Sequence, residues 1–375
     1  MTSLEQINYR DSDIIGSRIK QELPKIRLVW ARGREPLDFK KAMIYLILGK
    51  KGSGKSALLE LLSLYYPKIV DLFGSRDDEG LAYCRKNSPI DDILLIHGDN
   101  VDLDCSWDTT TVSKLTYKKI LDYEVVIPSF SFFTGNAGRF VGINKLMEIF
   151  WHRRKWKKPI FVSVREASSF IYSRVKQEGV NMKMAKADFI FWQREMRHFG
   201  YSLGIDTIRW TSIDKEMRDL ADWLVIKKVG PQGIPDDLDF LYRYVDPMSM
   251  AGLPPNKFML LTENASIAWG QSDYPKFHKE EGVDLLEELG IEITHGDEIE
   301  QGSIQRIGDE EHEKIIRLYS ENNSMSAITK KIHRSKERVH SHIHKHNKNV
   351  MENGFCEKCR RVRSDLADVE LYIAS

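Results

Sequence analysis

The 375-residue sequence has only four cysteines, Cys84, Cys105, Cys356 and Cys359. That is too few for the disulfide framework of a small secreted scaffold, and it points to a reducing compartment. No run reaches the roughly 18 apolar residues that a transmembrane helix needs. The first thirteen residues, MTSLEQINYRDSD, lack the apolar centre of a signal peptide, so a cytoplasmic protein without a membrane segment is expected. Net charge is also nearly absent: 56 Lys+Arg against 55 Asp+Glu leaves +1. Global charge therefore names no partner, and only its distribution along the chain can. No internal repeat or low-complexity tract is present, and the length allows two or three domains.

What the sequence does have begins at residue 43. An apolar run over 43–48 (MIYLIL) reads as a buried strand. It breaks at Gly49-Lys50-Lys51-Gly52-Ser53-Gly54-Lys55-Ser56, and Ala57 opens a helical pattern over 56–65. The segment fits G-x-x-x-x-G-K-[ST] in the strand–loop–helix setting that a phosphate-binding loop requires. Gly49, Gly52 and Gly54 let the backbone N–H groups of the loop, with Ser53 and Ala57, turn inward around a phosphate. The helix N-terminus adds fixed positive potential. Lys55 would reach the β- and γ-phosphates of ATP, and the Ser56 hydroxyl would sit on Mg²⁺. The plain alternative is a Gly/Lys-rich surface turn.

Further apolar runs at 68–73 (KIVDLF), 93–97 (ILLIH), 123–127 (YEVVI), 159–164 (PIFVSV), 201–207 and 223–226 alternate with helical patterns at 144–151, 185–199 and 213–220. Such alternation predicts an α/β fold, a mainly parallel sheet with helices on both faces and the phosphate loop at the carboxyl end of its strand. The stretch 26–30 (IRLVW) reads as a strand or an arm. Beyond Gly230-Pro231-Gln232-Gly233, 236–246 reads as helical and 258–262 and 267–269 as strands. The basic run 152–158 (HRRKWKK) fits either a nucleic-acid contact or a helix end balancing its dipole. The predicted organisation is an N-terminal segment (1–40), a nucleotide-binding domain (41–295), a polar linker (296–307), a small all-α domain (309–350) and a Cys-containing tail (351–375).

Hydrolysis needs a group to align or deprotonate water and charges to stabilise the transferred phosphoryl. The usual source of the first is an apolar strand that ends in an acidic pair. Here the strand ends in Arg165-Glu166. Glu166 stands where the catalytic carboxylate is expected, unless it is an ordinary carboxylate at a helix start. Arg165 stands where a Mg²⁺-linked aspartate is expected, and an arginine cannot ligate a cation, which leaves the metal to Ser56, phosphates and water. The strand at 201–207 leads to Asp206-Thr207-Ile208-Arg209, and Arg218 follows. Either arginine can supply positive charge to a γ-phosphate, or can serve a structural salt bridge.

Together, the phosphate loop, the following strand with Asp71 and Gly74, the site Val164-Arg165-Glu166-Ala167, and Asp206-Thr207-Ile208-Arg209 with Arg218 resemble the HerA/FtsK superfamily over roughly residues 41–230. Its members are ring-forming, DNA-pumping ATPases and include archaeal and viral DNA-packaging ATPases. The resemblance implies a P-loop NTPase fold of the RecA-like (ASCE) kind, a homo-oligomeric, hexameric ring acting on double-stranded DNA, and ATP with Mg²⁺ as cofactors. It gives Lys55 and Ser56 to nucleotide and metal, Glu166 to water, and Arg209 or Arg218 to a neighbouring subunit's phosphate. Two positions depart from the family pattern: Arg165 replaces its Walker B aspartate, and Ile208 its strand-end glutamine.

The segment 309–349 reads as three short helices. Ile315, Ile316, Leu318 and Tyr319 mark the first, Met325, Ile328 and Ile332 the second, and Val339 and Ile343 a third that Ser335 can cap. The spacing is similar to a helix-turn-helix of the resolvase or homeodomain-like type. Its third helix would present Lys336, Arg338, Ser341 and Lys345 to DNA. Eleven Lys and Arg against three Glu between 330 and 363 make this a basic patch in an otherwise balanced chain; a helical bundle for protein contacts is the alternative. Cys356-x-x-Cys359 is half of a zinc site, which His342 and His346, four apart on one helix side, would complete; two free thiols are the other reading. The function expected overall is an ATP-driven DNA motor with its own DNA-binding module. An ATP-gated DNA-binding regulator and a non-hydrolysing ATP-bound scaffold are the alternatives.

Overall fold

In the computed structural model, the described residues are 5–6, 25–35, 38–74, 76–151, 159–170, 180–230, 234–295, 309–321, 323–332, 339–340, 342–344 and 346–347. The chain forms two compact units, Met1–Glu298 and Ile299–Ser375.

The first unit is built on one twelve-stranded sheet. Its labelled strands, in chain order, are β1 (Ile26–Arg32), β2 (Ile44–Leu48), β3 (Lys68–Phe73), β4 (Ile93–His97), β5 (Asp108–Thr111), β6 (Val125–Ile127), β7 (Ile160–Val164), β8 (Tyr201–Thr207), β9 (Trp223–Ile226), β10 (Lys257–Thr262) and β11 (Ile267–Ser272). Across the sheet the order is β1-β11-β10-β9-β2-β8-β7-β3-β6-β4-β5, with the short strand Glu5–Gln6 beyond β1. From β9 to β5 all neighbours are parallel, while β10, β11 and β1 add an antiparallel flank. The parallel strands β2, β4, β6, β7, β8 and β9 are buried along their whole length. Strands covered on both faces read as unbroken apolar runs, which is why these were visible in the sequence.

Three helices pack against this sheet: α1 (Lys55–Ser63), α2 (Gly135–Trp151) and α3 (Val180–Phe199). Helix α2 begins nine residues before the 144–151 pattern. Gly135 and Gly138 disguise its start as a turn. Phe140, Ile143, Met147 and Phe150 lie buried on one face of it, while Val141 and Glu148 are exposed on the other. Residues 236–243 form a 3₁₀ segment kinked at Leu238 rather than a regular helix. Strand β1 pairs with β11, so part of the N-terminal segment belongs to the sheet. The linker 296–307 and the basic run 152–158 lie outside the described residues.

In the second unit, α4 (Asp309–Ser320) and α5 (Met325–Ile332) pack around Ile315, Ile316, Leu318 and Ile328. Val339 and Ile343, the two apolar markers of the third helix, join this core.

Candidate nucleotide site

The phosphate loop leaves the carboxyl end of β2 and enters α1, as the sequence predicts. Gly52 and Gly54 have φ of +72° and +77°, where an L side chain would be strained. At Gly54 space is refused too: a Cβ would come within 2.6 Å of the Pro255 carbonyl and the Tyr274 hydroxyl. The loop is clasped from its neighbours, since Gly49 N–H donates to Thr207 (3.1 Å) and Lys50 N–H to Lys228 (3.0 Å). Lys55 Nζ donates to the Lys50 carbonyl (3.3 Å), which holds the ammonium over the loop.

A cavity of about 710 Å³ opens at this edge of the sheet, lined by Lys55, Ser56, Glu79, Glu166, Asp206 and His278 among others. Glu166 follows β7 and is brought to the same cavity as Lys55, although β8 lies between their strands. It adopts φ +47°. Asp78, which also lines the cavity, is at +51°. Such backbone costs about 1–3 kcal/mol per residue and concentrates at functional sites. Burial, with Glu79 and Asp77 nearby, raises the Glu166 pKa above the usual carboxylate range. Asp206 is 1% exposed, and burial pushes its pKa up to about 6. Its Oδ1 accepts the Glu166 backbone N–H at 2.6 Å.

Arg165 is turned into the protein and is fully buried. Its Nε donates to Asp71 Oδ2 (2.9 Å) and its Nη1 to Glu60 Oε1 (3.0 Å), with Glu79 at 3.5 Å. Glu60 also meets His278 Nδ1 at 2.8 Å, and Asp71 accepts from Ser163 Oγ at 3.1 Å. Burial opposes the Arg165 charge, but Asp71 and Glu60 outweigh it and hold the guanidinium cationic. Burial likewise works against the Glu60 charge, yet His278 and Arg165 bring its pKa below the usual value. Lys227, at the end of the β9 segment beside the loop, is fully buried with no hydrogen-bond partner for Nζ among the described residues. Burial, then the Lys55 charge, lower its pKa to about 7.

The two arginines expected to act on a phosphate lie apart from this cavity within the chain. Arg209 is exposed just after β8. Arg218 donates to Asp237 Oδ2 (2.9 Å) and its guanidinium lies 4.9 Å from the Trp210 ring centre. Lys336, Arg338, Ser341 and Lys345 lie outside the described residues, as do Cys356 and Cys359. The zinc expectation finds no support. His342 Nε2 is instead 2.7 Å from His312 Nδ1, and no cluster of three or more metal-ligating groups stands together among the described residues. Sequence reasoning missed Glu60, Asp206, His278 and Lys227 as site residues. Glu60 carried a signal as a lone charge inside the apolar run LLELL, and Asp206 stood in the Asp206-Thr207-Ile208-Arg209 motif without a role of its own.

A parallel sheet with this strand–loop–helix and an acid-bearing strand one place removed from it is the fold of a P-loop NTPase. No family model and no curated protein matches the sequence. Among solved structures the chain is similar to the genome packaging NTPase B204 from Sulfolobus turreted icosahedral virus 2 in complex with AMP. That likeness has 16% identity and a TM-score of 0.35, and covers 63% of this chain and 97% of the other. For the ATP-gammaS complex of the same NTPase the figures are 15%, 0.32, 60% and 95%. The chain is also similar to the cytoplasmic domain of the Type VII secretion ATPase EccC from Thermomonospora curvata, at 12% identity and a TM-score of 0.36, over 64% of this chain and 24% of that one. By name these neighbours are an NTPase and an ATPase. Among the described residues no helix is long and apolar enough to cross a membrane.

Proposed function

We propose that the chain is an ATPase that hydrolyses ATP to translocate or package double-stranded DNA, working as a homo-oligomeric ring of the HerA/FtsK kind. The observation that carries this reading is the meeting of Lys55, Ser56 and Glu166 in one cavity at the carboxyl edge of the sheet. Loop N–H groups and Lys55 would hold the phosphates. Glu166, with its raised pKa, suits a carboxylate that orients a water and takes its proton. Magnesium fits the donor set, because Ser56, Glu166 and Asp206 offer the hard oxygen atoms it prefers. When bound it would neutralise charge on the phosphates.

Catalytic positive charge would come from a neighbouring subunit. Arg209 is the better placed of the two arginines for this, since it is exposed, whereas Arg218 is engaged by Asp237. DNA contact is assigned to the second unit, on the basic sequence 330–363 with Lys336, Arg338, Ser341 and Lys345. The test is ATP turnover with and without duplex DNA, combined with size-exclusion chromatography with and without ATP. DNA-stimulated turnover by a ring supports the motor. One observation favours a second reading, an ATP-gated DNA-binding regulator: Arg165 occupies the strand end where fast hydrolysis normally keeps an aspartate. A non-ring species with slow turnover and sequence-specific DNA binding would decide for it.

A further inference from the structure

Taking the nucleotide-site reading as its basis, we propose that Asp206 is the positioning carboxylate for the divalent cation bound with ATP, one strand closer to the phosphate loop than the sequence motif places it. Arg165 cannot serve. It carries only donors, it does not line the cavity, and its guanidinium is spent on Asp71 and Glu60.

Strand register points to Asp206 as the substitute. In the parallel pairing of β8 with β7, Ile205 stands opposite Val164, so Asp206 is level with position 165. On its other edge Asp206 pairs with Ile47 of the strand that feeds the phosphate loop. A carboxylate has thus moved sideways by one strand, roughly 5 Å, toward Lys55 and Ser56. It remains tied to Glu166 through the 2.6 Å bond from the Glu166 N–H to its Oδ1. The adjacent acidic pair of the motif is in this way rebuilt from two neighbouring strands, Asp206 on one and Glu166 on the other.

The remaining acids of the cavity fit the role less well. Asp78 is committed through both oxygens, Oδ1 accepting from Ser129 Oγ and Ser131 N–H, and Oδ2 from Ser131 Oγ. Glu79 lies 3.5 Å from Arg165 and is drawn into the buried ion cluster. Asp77 sits on an exposed turn, and Glu280, Glu281 and Asp284 are exposed as well. Asp206 alone combines near-complete burial, access to the cavity and a hydrogen-bond tether to the proposed catalytic acid.

The substitution to test is Asp206→Asn in the full chain. Asparagine keeps an oxygen for the Glu166 N–H and removes the charge. Binding of a fluorescent N-methylanthraniloyl ATP is titrated with EDTA and with Mg²⁺, and Mn²⁺ uptake is followed by electron paramagnetic resonance in the presence of ATP. The expected result is a 10–100-fold weaker Mn²⁺ affinity with metal-free nucleotide affinity unchanged. Wild-type metal dependence in the variant, or an equal loss with and without metal, would overturn the proposal. Should the variant unfold, Fe²⁺-directed backbone cleavage of the wild type with ATP answers the same question. Cuts beside Asp206 support the proposal, and cuts confined to 71–79 overturn it. If the wild type fails to bind the nucleotide, or Lys55→Ala binds it normally, the nucleotide reading itself falls.

Discussion

Lys227 offers the sharpest stability test. Its ammonium is fully buried without a hydrogen-bond acceptor among the described residues, 5.9 Å from the centre of the Phe258 ring, and near enough to the loop that a Cβ on Gly54 would come within 3.3 Å of it. Folding lowers its pKa from the ordinary 10.5 to about 7. The sign is that of a depressed base. Above pH 10.5 the group is neutral folded and unfolded, and costs nothing. As pH falls toward 7 only the unfolded chain takes up the proton, so folded stability drops; below 7 the cost levels off. At about 1.4 kcal/mol per tenfold, the ceiling is about 4 kcal/mol at pH 7 and about 1.5 kcal/mol at pH 9.5. Lys227→Met removes the titration and keeps the volume. The variant should therefore be more stable than wild type at pH 7, with the gap shrinking by about 2–3 kcal/mol at pH 9.5. Urea unfolding followed by tryptophan fluorescence reads it cleanly, because all eight tryptophans lie before residue 270 and report on the first unit alone. A gap that does not change with pH, or no gain at pH 7, would refute the assignment of a destabilising buried charge.

Three further outcomes follow from the site. Lys55→Ala should abolish ATP hydrolysis and greatly weaken ATP binding while thermal melting is retained, measured by nucleotide titration and phosphate release. Glu166→Gln should keep ATP binding and lose turnover roughly a hundredfold, the range of a positioned base; normal hydrolysis in that variant would relocate the catalytic acid. Arg165→Met should cost about 3–5 kcal/mol of stability by leaving Glu60 and Asp71 buried without their common partner. Denaturant midpoints check this, and a neutral result would mean that the cluster is not held by charge.

Much of this fold was legible because it is written in short-range terms. Strands such as Ile44–Leu48 and Val125–Ile127 are apolar throughout because both faces are covered, and the phosphate loop has a fixed spacing. Glu166 was likewise readable from the strand that precedes it. The rest depends on register and on contacts between distant residues. His278 and Glu60 are 218 positions apart, and nothing local announces their bond. Asp206 stood in the Asp206-Thr207-Ile208-Arg209 motif, but only its pairing places it level with 165. Arg165 looked like a defect in a motif. Its partners Asp71 and Glu60 show it to be the centre of a different arrangement.

That arrangement bears on which substitutions the chain can tolerate. An aspartate placed at 165 by itself would face Glu60 and Asp71 across a dry interior, three like charges with His278 as the nearest counterweight. A neutral residue introduced at 60 or 71 would instead strip a buried cation of half its support. Each of these single changes is therefore destabilising, because the effects of touching residues depend on one another. Substitutions at 60, 71 and 165 should therefore be tolerated together more readily than singly.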